Sequence, residues 1–487
     1  MRKTRPRGPG HPAGADRKLG PQANRREHRA TTPIGSRRRL PEISARSNVS
    51  ALVLDLWEKT RIDWGFATDQ IAQTFRREKW LSSEERRQVA EHLYGMIRQA
   101  RRVDYALERA GARIPPCSER EQARYLAYLV LEGTIDARKA SAMMPAVSWQ
   151  AVASVDEHIR REHDPARRLA LRRSLPDWLA RRFLDEYPAD ADPLAESLNQ
   201  RAPLTVRANA AKIAREGLAE LLAAVGVASR PTQYARHGLH ILHGPGQSKG
   251  INVFALRAFR EGLLEPQDEA SQLVAELVDP RPKGLVIDAC AGAGGKTLAL
   301  AAQLGGCGRV IALDVSERKL AELRRRARRA NLSNIRTIVI EPDRWPSEVE
   351  ALVGKADRVL VDAPCSGIGA LRRNPEARWR LHEEDTLRLA REQQQIVTRA
   401  AGLLAPGGRL LYATCTMLRT ENEEVIARFL DSQRDFARLP VKDLVGEGRI
   451  RCPTDADGMC LRTLPHLHGM DGFFAALFFR ASQTGKA

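Results

Sequence analysis

The chain has 487 residues, with 79 Lys and Arg against 60 Asp and Glu, a formal net charge of +19, and 43% hydrophobic residues. This length suits two to four domains and excludes a small disulfide-stapled scaffold. No stretch approaches the roughly 18 to 20 consecutive apolar residues of a membrane helix, and the N-terminus lacks a signal-peptide core, so we expect a soluble cytoplasmic protein without a membrane partner. The positive charge indicates a polyanionic partner, most simply nucleic acid.

Residues 1–46 form a basic segment with thirteen Lys and Arg and three acids, which is +10 of the net +19. Many Pro and Gly accompany this charge, so the segment is predicted to be a disordered tail. It is interpreted as a flexible arm that binds phosphates without sequence preference. A solvated tail and an organellar transit peptide are the alternatives.

Apolar residues at three-to-four spacing predict a helical domain over residues 47–187. Its last helix runs through Trp178 and Phe183 and should end near Tyr187, because Pro188 follows. Arginines are interleaved with the apolar stripe around Met96 and Ile97, and this face is either a solvated surface or an RNA-binding one. These arginines are Arg86, Arg87, Arg98, Arg101 and Arg102.

Residues 188–275 mix one helix pattern with short alternating runs, which predicts a small α+β module. From 276 to 482 strands and helices alternate regularly, which is typical of a doubly wound, Rossmann-like α/β domain. Its predicted strands are Val286–Ala289, Val310–Leu313, Thr337–Ile340, Arg358–Val361, Arg409–Thr414 and Phe473–Phe479. Its predicted helices are Thr297–Leu304, Glu317–Ala330, Leu387–Leu404 and Glu421–Leu430.

A Gly-rich turn lies between the first of these strands and its helix, where the backbone must approach a ligand closely. Lys296 and Thr297 end the turn, but a P-loop would need Gly where Cys290 stands, so nucleoside triphosphate binding is not predicted. Lys296 either contacts a ligand or is solvated in the first turn of the helix. The turn consists of Cys290, Ala291, Gly292, Ala293, Gly294, Gly295 and Lys296.

Acids follow the next three strands, at Asp314, Asp343 and Asp362. An acid about 20 residues beyond the glycines is placed to bond both hydroxyls of a ribose. Carboxyl ends of parallel strands share one edge of a sheet, so the turn and these acids predict a cofactor crevice. The spacing fits S-adenosylmethionine about as well as it fits a dinucleotide.

Two thiols reach the same sheet edge, because Cys365 follows the fourth strand and Cys415 the fifth. Such thiols suit chemistry at pyrimidine C5, where a thiolate adds to C6 and C5 becomes enamine-like and accepts an electrophilic methyl group. A base then removes the C5 proton and the thiolate leaves. Asp362 is placed to hold the N3/N4 edge of the pyrimidine, and the second thiol to assist the elimination.

The chain resembles the Nop/Sun family of RNA cytosine-C5 methyltransferases, and within it the bacterial RsmB type, which acts on 16S ribosomal RNA. The resemblance covers residues from about 47 to 480 and rests on motifs in family order. These are Gln267–Ser271, the Gly-rich turn, Asp314, Asp343, Asp362–Cys365, Arg372–Glu376 with Trp379, Thr414–Cys415 and Asp471–Phe474.

By this resemblance Cys415 is the nucleophile, Cys365 the product-release thiol, and S-adenosylmethionine the cofactor. It also implies a NusB-like RNA-binding domain at 47–187, and RNA, chiefly 16S rRNA, as partner. The cofactor would contact Cys290 to Lys296, Asp314, Asp343 and Asp362. The family's usual Ala-Pro is Gly292-Ala293 here, a looser turn that is expected to affect cofactor affinity, and its usual Ser is Thr416, which keeps a hydroxyl.

Four cysteines stand outside any motif and are interpreted as structural, and no C-x-x-C pair or paired Cys/His spacing predicts a metal site. They are Cys117, Cys307, Cys452 and Cys460. Arg372, Arg373 and Arg378 follow the fourth strand and either grip RNA phosphates or are surface charges. Trp379 either packs or stacks on a base.

Three other functions compete with this hypothesis. A DNA cytosine-C5 methyltransferase would use Cys365 as nucleophile, and an amino-group methyltransferase would carry Asn/Asp-Pro-Pro-Tyr instead of Asp362-Ala-Pro-Cys365. A non-catalytic RNA-binding scaffold would not require both thiols. Another RNA, such as tRNA or 23S rRNA, is the alternative substrate. The sequence predicts neither the target nucleotide nor the oligomeric state.

Overall fold

The computed structural model describes residues 47–111, 118–242 and 251–482. The basic tail at 1–46 and Cys117 lie outside the described residues. Within these ranges, no helix is both long and apolar enough to cross a membrane.

The first part of the chain is helical, as predicted, and no strand occurs among its described residues before β1 begins at Thr205. Helix α3 begins with a reciprocal capping box between Ser82 and Glu85 and buries the apolar stripe that includes Leu93 and Ile97. The helices here are α1 Ser47–Asp63, α2 Ala67–Arg77, α3 Ser83–Arg109, α4 Ser118–Leu131, α5 Ala137–Met143, α6 Trp149–Ala153, α7 Val155–Arg160, α8 Pro165–Arg173, α9 Asp177–Glu186 and α10 Ala191–Ser197.

A small antiparallel sheet follows, in the order β2-β3-β1-β4. It agrees with the predicted α+β character of this part of the chain. Its elements are β1 Thr205–Ala208, α11 Arg215–Ala224, β2 Ser229–Pro231, β3 Gly238–Ile241, the 3₁₀ turn Val253–Ala255, α12 Arg257–Arg260 and β4 Leu264–Pro266.

The large sheet has the order β10-β12-β9-β8-β5-β6-β7, with β11 paired to β12. Strands β9, β8, β5, β6 and β7 are parallel, and β12 joins β9 antiparallel. The strands are β5 Leu285–Asp288, β6 Arg309–Asp314, β7 Ile335–Val339, β8 Ala356–Asp362, β9 Leu404–Thr414, β10 Phe436–Leu439, β11 Cys460–Thr463 and β12 Phe473–Arg480. This is the predicted Rossmann-like α/β architecture.

Apolar side chains from helices cover both faces of this sheet, as a mostly parallel sheet requires. The carboxyl ends of β5, β6, β8 and β9 meet at one edge and bring the Gly-rich turn and both thiol loops together. The helices are α13 Glu269–Leu277, α14 Gly295–Gln303, α15 Glu317–Ala330, α16 Ser347–Glu350, α17 Ala377–Arg380, α18 Glu383–Ala401, α19 Glu423–Ser432, α20 Val441–Gly446 and α21 Pro465–His468. The 3₁₀ turns are Ile368–Ala370 and Arg419–Glu421.

The basic face of α3 is partly buried, so its interpretation as a solvated surface is wrong, and its interpretation as an RNA-binding surface stays a prediction. None of its five arginines is exposed. Arg98 donates to the carbonyl of Arg372 at 3.1 Å, Arg101 to that of Leu175 at 2.7 Å, and Arg102 pairs with Asp156. These arginines use their N–H groups to join helices and to hold the helical region against the catalytic sheet.

The end of α9 contacts the loop that follows Cys415. The Tyr187 hydroxyl donates to the Met417 carbonyl at 2.5 Å and accepts from Arg462 at 2.8 Å. Glu186 accepts from the backbone N–H of Arg419 at 2.9 Å. The helical region therefore touches the catalytic domain two residues beyond one of its candidate thiols.

Replacing Tyr187 by Phe removes both of these hydrogen bonds while keeping the ring. We expect a loss of about 1 kcal/mol of unfolding free energy and, for the methyl transfer that the family resemblance implies, a several-fold lower rate with cofactor affinity unchanged. Urea unfolding and single-turnover assays measure the two effects. Tyr105→Phe is the control, because the Tyr105 hydroxyl makes no hydrogen bond within the described residues, and equal behaviour of the two variants would contradict the coupling.

Candidate active site

The Gly-rich turn adopts a backbone shape that glycine permits. Gly292 has φ +55° and Gly294 has φ +88°, a left-handed conformation that is strained for most residues. A Cβ on Gly294 would lie 2.1 Å from Leu323 Cδ1, so α15 packs directly against the turn. The close approach of backbone predicted from the sequence is present.

Two arginines brace the turn from outside. Arg326 donates to the Ala293 carbonyl at 2.6 Å, and the buried Arg207 donates to the Gly295 carbonyl at 2.9 Å. Glu265, the central residue of β4, forms an ion pair with Arg326. The turn therefore does not depend on a proline for its rigidity, and the small sheet contributes part of the brace.

Asp314 lies at the end of β6 and is bound into the turn. Its Oδ2 accepts from the backbone N–H of Gly292 at 2.8 Å, and its Oδ1 accepts from that of Ser316 at 2.8 Å. Both bonds hold the carboxylate at the predicted crevice. Val315 follows it with 57% of its surface exposed, which gives the crevice an apolar patch beside the acid.

Asp343 and Cys290 occupy different settings. Asp343 is exposed in the loop after β7, and Arg399 fixes this loop by donating to the carbonyls of Glu341 and Pro342. Cys290 is enclosed, and burial with the neighbouring charge of Asp288 raises the pKa of its thiol well above the ordinary value. Cys290 is thus a neutral thiol at neutral pH.

Lys296 and Asp362 form an ion pair inside the crevice, 2.7 Å from Nζ to Oδ2. Lys296 is only 8% exposed, and its ammonium lies 5.0 Å from the centre of the Phe473 ring. Solvation in the first turn of a helix, one of the two sequence interpretations, is therefore wrong. The lysine links the Gly-rich turn to the strand end that precedes Cys365.

Asp288 is a site residue that sequence reasoning did not select. It ends β5 with 1% exposure, and its Oδ2 accepts from Thr297 Oγ1 at 2.7 Å. Its Oδ1 is buried without a hydrogen-bond partner within the described residues. Burial raises the pKa of Asp288 to about 7. Its position at the end of the first strand, two residues before Cys290, was the signal available in the sequence.

These groups fit S-adenosylmethionine. Carboxylates complement both ribose hydroxyls and a cationic ligand, and Asp288 offers a buried acceptor that no described residue uses. Peptide groups of the turn are free to approach because glycine carries no side chain. Among the described residues, no cluster of three or more His, Cys, Asp and Glu side chains has the arrangement of a metal site.

The pKa of Asp288 predicts a pH-dependent cofactor affinity. Its ionised fraction rises from about a tenth at pH 6 to about nine tenths at pH 8, and the negative form favours a cation. We therefore expect affinity for S-adenosylmethionine to increase by up to about nine-fold across this range. Titration calorimetry at fixed salt measures it, and Asp288→Asn is expected to remove the slope; an unchanged slope in the variant would disprove the assignment.

The two thiols are neighbours, with Cys365 Sγ 3.3 Å from Cys415 Sγ. Both are partly buried. The hydrogen bond to Cys415 and burial raise the pKa of Cys365 well above the ordinary value, so Cys365 carries its proton at neutral pH. The predicted approach of the two loops is present.

Close backbone contacts hold the thiol loops together. Gly369 N–H donates to the Cys415 carbonyl at 3.0 Å, and Gly472 N–H donates to the Gly369 carbonyl at 2.9 Å. A Cβ on Gly369 would lie 1.9 Å from the Gly472 carbonyl oxygen, so a larger residue would separate the loops. The loops after β8 and β9 and the turn before β12 are stacked on one another.

The arginines after β8 are structural, and their interpretation as phosphate-gripping groups is wrong. Arg372 and Arg373 both pair with the buried Asp471, at 3.0 and 2.6 Å. Arg378 is fully buried and donates to Asn199 at 2.6 Å. Trp379 donates to the Ile97 carbonyl at 2.8 Å and packs against the helical core. Of its two interpretations, packing is therefore favoured over stacking on a base.

Comparisons with known proteins identify the family of the chain. Residues 275–479 match the family described as 16S rRNA methyltransferase RsmB/F, and residues 175–246 match the RsmF/B-like ferredoxin-like domain. A probable ribosomal RNA small subunit methyltransferase B of Bacillus subtilis is 35% identical over 321 residues, 64% of this chain and 67% of the relative. Its counterpart in Synechocystis is 31% identical over 423 residues, 81% and 91% of the two chains.

Solved structures share the fold. The crystal structure of PH0851 superposes with a TM-score of 0.70 at 25% identity and covers 89% of this chain and 98% of its own. A methyltransferase homolog from Pyrococcus horikoshii superposes with a TM-score of 0.53 at 27% identity, covering 64% of this chain and 97% of its own. The chain shares its architecture with both proteins.

Proposed function

Because the chain belongs to the RsmB/F family of rRNA methyltransferases, which use S-adenosylmethionine, we propose that it forms 5-methylcytosine in 16S rRNA. The observation that carries this proposal is the pair of thiols 3.3 Å apart, at the sheet edge that also holds the Lys296–Asp362 ion pair. Methylation of an amino group or a ribose hydroxyl does not require a thiol nucleophile or a second thiol beside it.

Cys415 is proposed as the nucleophile and Cys365 as the thiol that assists its departure. Addition of the Cys415 thiolate to C6 uses the C5–C6 π electrons and leaves C5 electron-rich. The raised pKa of Cys365 supports this division, because a protonated thiol adds poorly and donates a hydrogen bond well.

Asp362 is proposed to hold the N3/N4 edge of the cytosine in its N3-protonated form, with the carboxylate accepting from N3–H and N4–H. The proton on N3 makes the ring electron-poor and neutralises the negative charge that would otherwise accumulate when the thiolate adds. Bound S-adenosylmethionine supplies an electrophilic methyl group, which C5 accepts. A base then takes the C5 proton, the electron pair of that C–H bond re-forms C5=C6, and the Cys415 thiolate leaves beside the Cys365 S–H group.

The cofactor segment is proposed to be Cys290 to Lys296 with Asp314, Asp343 and Asp362. The helical region 47–187 is proposed to be a NusB-like RNA-binding domain, residues 188–275 the connecting module and 276–482 the catalytic domain. Contacts of α9 with the loop after Cys415 support a joint role of the helical and catalytic regions. The target cytosine must be unstacked, because its C6 cannot be attacked inside a base stack. Flipping the base out of the stack costs a few kcal/mol.

Nucleoside analysis tests the proposed product. The protein is incubated with unmodified 16S rRNA and isotopically labelled S-adenosylmethionine, and the RNA is digested and separated by liquid chromatography with mass detection. Labelled 5-methylcytidine is expected, and labelled N4-methylcytidine or a ribose-methylated nucleoside would contradict the proposal. Parallel reactions with 23S rRNA and tRNA decide between substrates, and no transfer to any RNA would favour the scaffold function.

A further inference from the structure

Asn422 bridges the two residues that flank Cys415. Thr414 Oγ1 donates to Asn422 Oδ1 at 2.6 Å, and Asn422 Nδ2 donates to the Thr416 carbonyl at 3.2 Å. All three residues are fully buried. One amide side chain therefore holds the residues on both sides of Cys415, through the hydroxyl of Thr414 and the carbonyl of Thr416.

Glu421 holds the Cys365 loop in a corresponding way. Its Oε2 accepts from the Ser366 backbone N–H at 2.8 Å and from Gln393 Nε2 at 3.0 Å. Gln393 Nε2 also donates to the Pro364 carbonyl at 2.9 Å. The residues before and after Cys365 are thus bound by one carboxylate–amide pair.

Glu421 and Asn422 are consecutive, so one short segment holds both loops. The Tyr412 hydroxyl anchors this segment by donating to the Glu421 carbonyl at 2.6 Å. Ser366 and Thr416 complete the link between the loops through their hydroxyls, which are 2.9 Å apart. Apart from the partly buried bond to the Pro364 carbonyl, these contacts are buried in the described structure, where water does not compete for the hydrogen bonds.

We propose that Glu421 and Asn422 are positioning residues that set the separation of the Cys365 and Cys415 sulfurs. The role of this separation in catalysis rests on the proposed function, because the elimination needs Cys365 beside the departing sulfur of Cys415. Neither residue contacts the reacting atoms. A displacement of about 1 Å is enough to lower a rate about 100-fold, so losing either set of contacts is expected to impair the reaction.

The separation of the thiols can be measured without methylation. Phenylarsine oxide binds two neighbouring thiols, forming two As–S bonds and releasing one water, and it binds single thiols weakly. Loss of tight binding in Cys365→Ser assigns the signal to this pair. The positioning variants are Asn422→Ala, which removes both bonds of the amide, and Glu421→Ala, which removes the oxygen that accepts from Ser366 and Gln393. Glu424→Ala is the matched control, since Glu424 lies exposed in the first turn of α19, directly after this segment.

Both variants are expected to bind the arsenical at least about ten-fold more weakly and to show a kcat about 100-fold lower. KM for RNA and affinity for S-adenosylmethionine should stay near those of Glu424→Ala, whereas Tm is expected to fall because buried hydrogen bonds are lost. Unchanged arsenical binding overturns the proposal, whether or not the rate falls. If Asn422→Ala does not fold, the isosteric Thr414→Val, which removes one of the two bonds, decides by the same criteria. The two proposals can fail separately. If arsenical binding depends on Asn422 but the protein makes no 5-methylcytosine, the positioning role stands and the proposed function is refuted.

Discussion

Cys415→Ala is expected to abolish methyl transfer, with a rate at least about 10⁴-fold below that of the unmodified protein. Without the sulfur no covalent bond to C6 forms, and C5 stays a poor nucleophile. The change should leave binding of S-adenosylmethionine intact, because Cys415 follows β9 while the Gly-rich turn follows β5. Single-turnover transfer of a labelled methyl group measures the rate, and calorimetry measures cofactor affinity.

Cys452→Ala is the control for this prediction, because Cys452 is a buried cysteine that belongs to neither thiol loop. It is expected to keep the rate within a few-fold, with a modest loss of stability from the cavity it leaves. If Cys415→Ala keeps an appreciable rate and Cys365→Ala loses methyl transfer, the nucleophile is Cys365 instead.

Asp362→Asn is expected to lower kcat by about 1,000-fold and also to destabilise the fold. The first effect follows from a lost acceptor at the cytosine N3/N4 edge. The second follows because Lys296 is 8% exposed and would lose its ion-pair partner at 2.7 Å, and an unpaired buried charge costs about 3 kcal/mol or more.

A double variant separates these two effects. Adding Lys296→Met to Asp362→Asn removes the unpaired charge and is expected to recover much of the lost Tm. The rate should stay low, since the acceptor is still absent. Thermal unfolding and single-turnover assays on the three proteins provide the comparison, and recovery of the rate along with Tm would show that Asp362 acts only through stability.

The sequence predicted the parts of this site that lie at strand ends. Alternation of strands and helices places the carboxyl ends of parallel strands at one edge, so Cys365 and Cys415 were expected together before any coordinates. The same reasoning placed Asp314 and Asp362 at the crevice. The strand boundaries agree within a few residues, except that β9 begins at Leu404, five residues earlier than predicted.

The partners of charged side chains could not be predicted in this way. In the sequence Arg378 resembles any basic loop residue, yet it is buried because Leu198 and Asn199, about 180 residues away along the chain, accept its hydrogen bonds. The partial burial of the α3 arginines could not be predicted for the same reason. Glu421 and Asn422 form no catalytic pattern along the chain, and their role emerges only from contacts with residues flanking both thiols.

Trapping of a covalent RNA–protein complex tests the central claim most directly. Cys365→Ala, Cys415→Ala and the double variant are incubated with unmodified 16S rRNA and S-adenosylmethionine and analysed by denaturing gel electrophoresis. Cys365→Ala alone is expected to accumulate a slowly migrating band, because its adduct forms on Cys415 and leaves slowly. A band in Cys415→Ala, or one that persists in the double variant, would contradict Cys415 as the nucleophile.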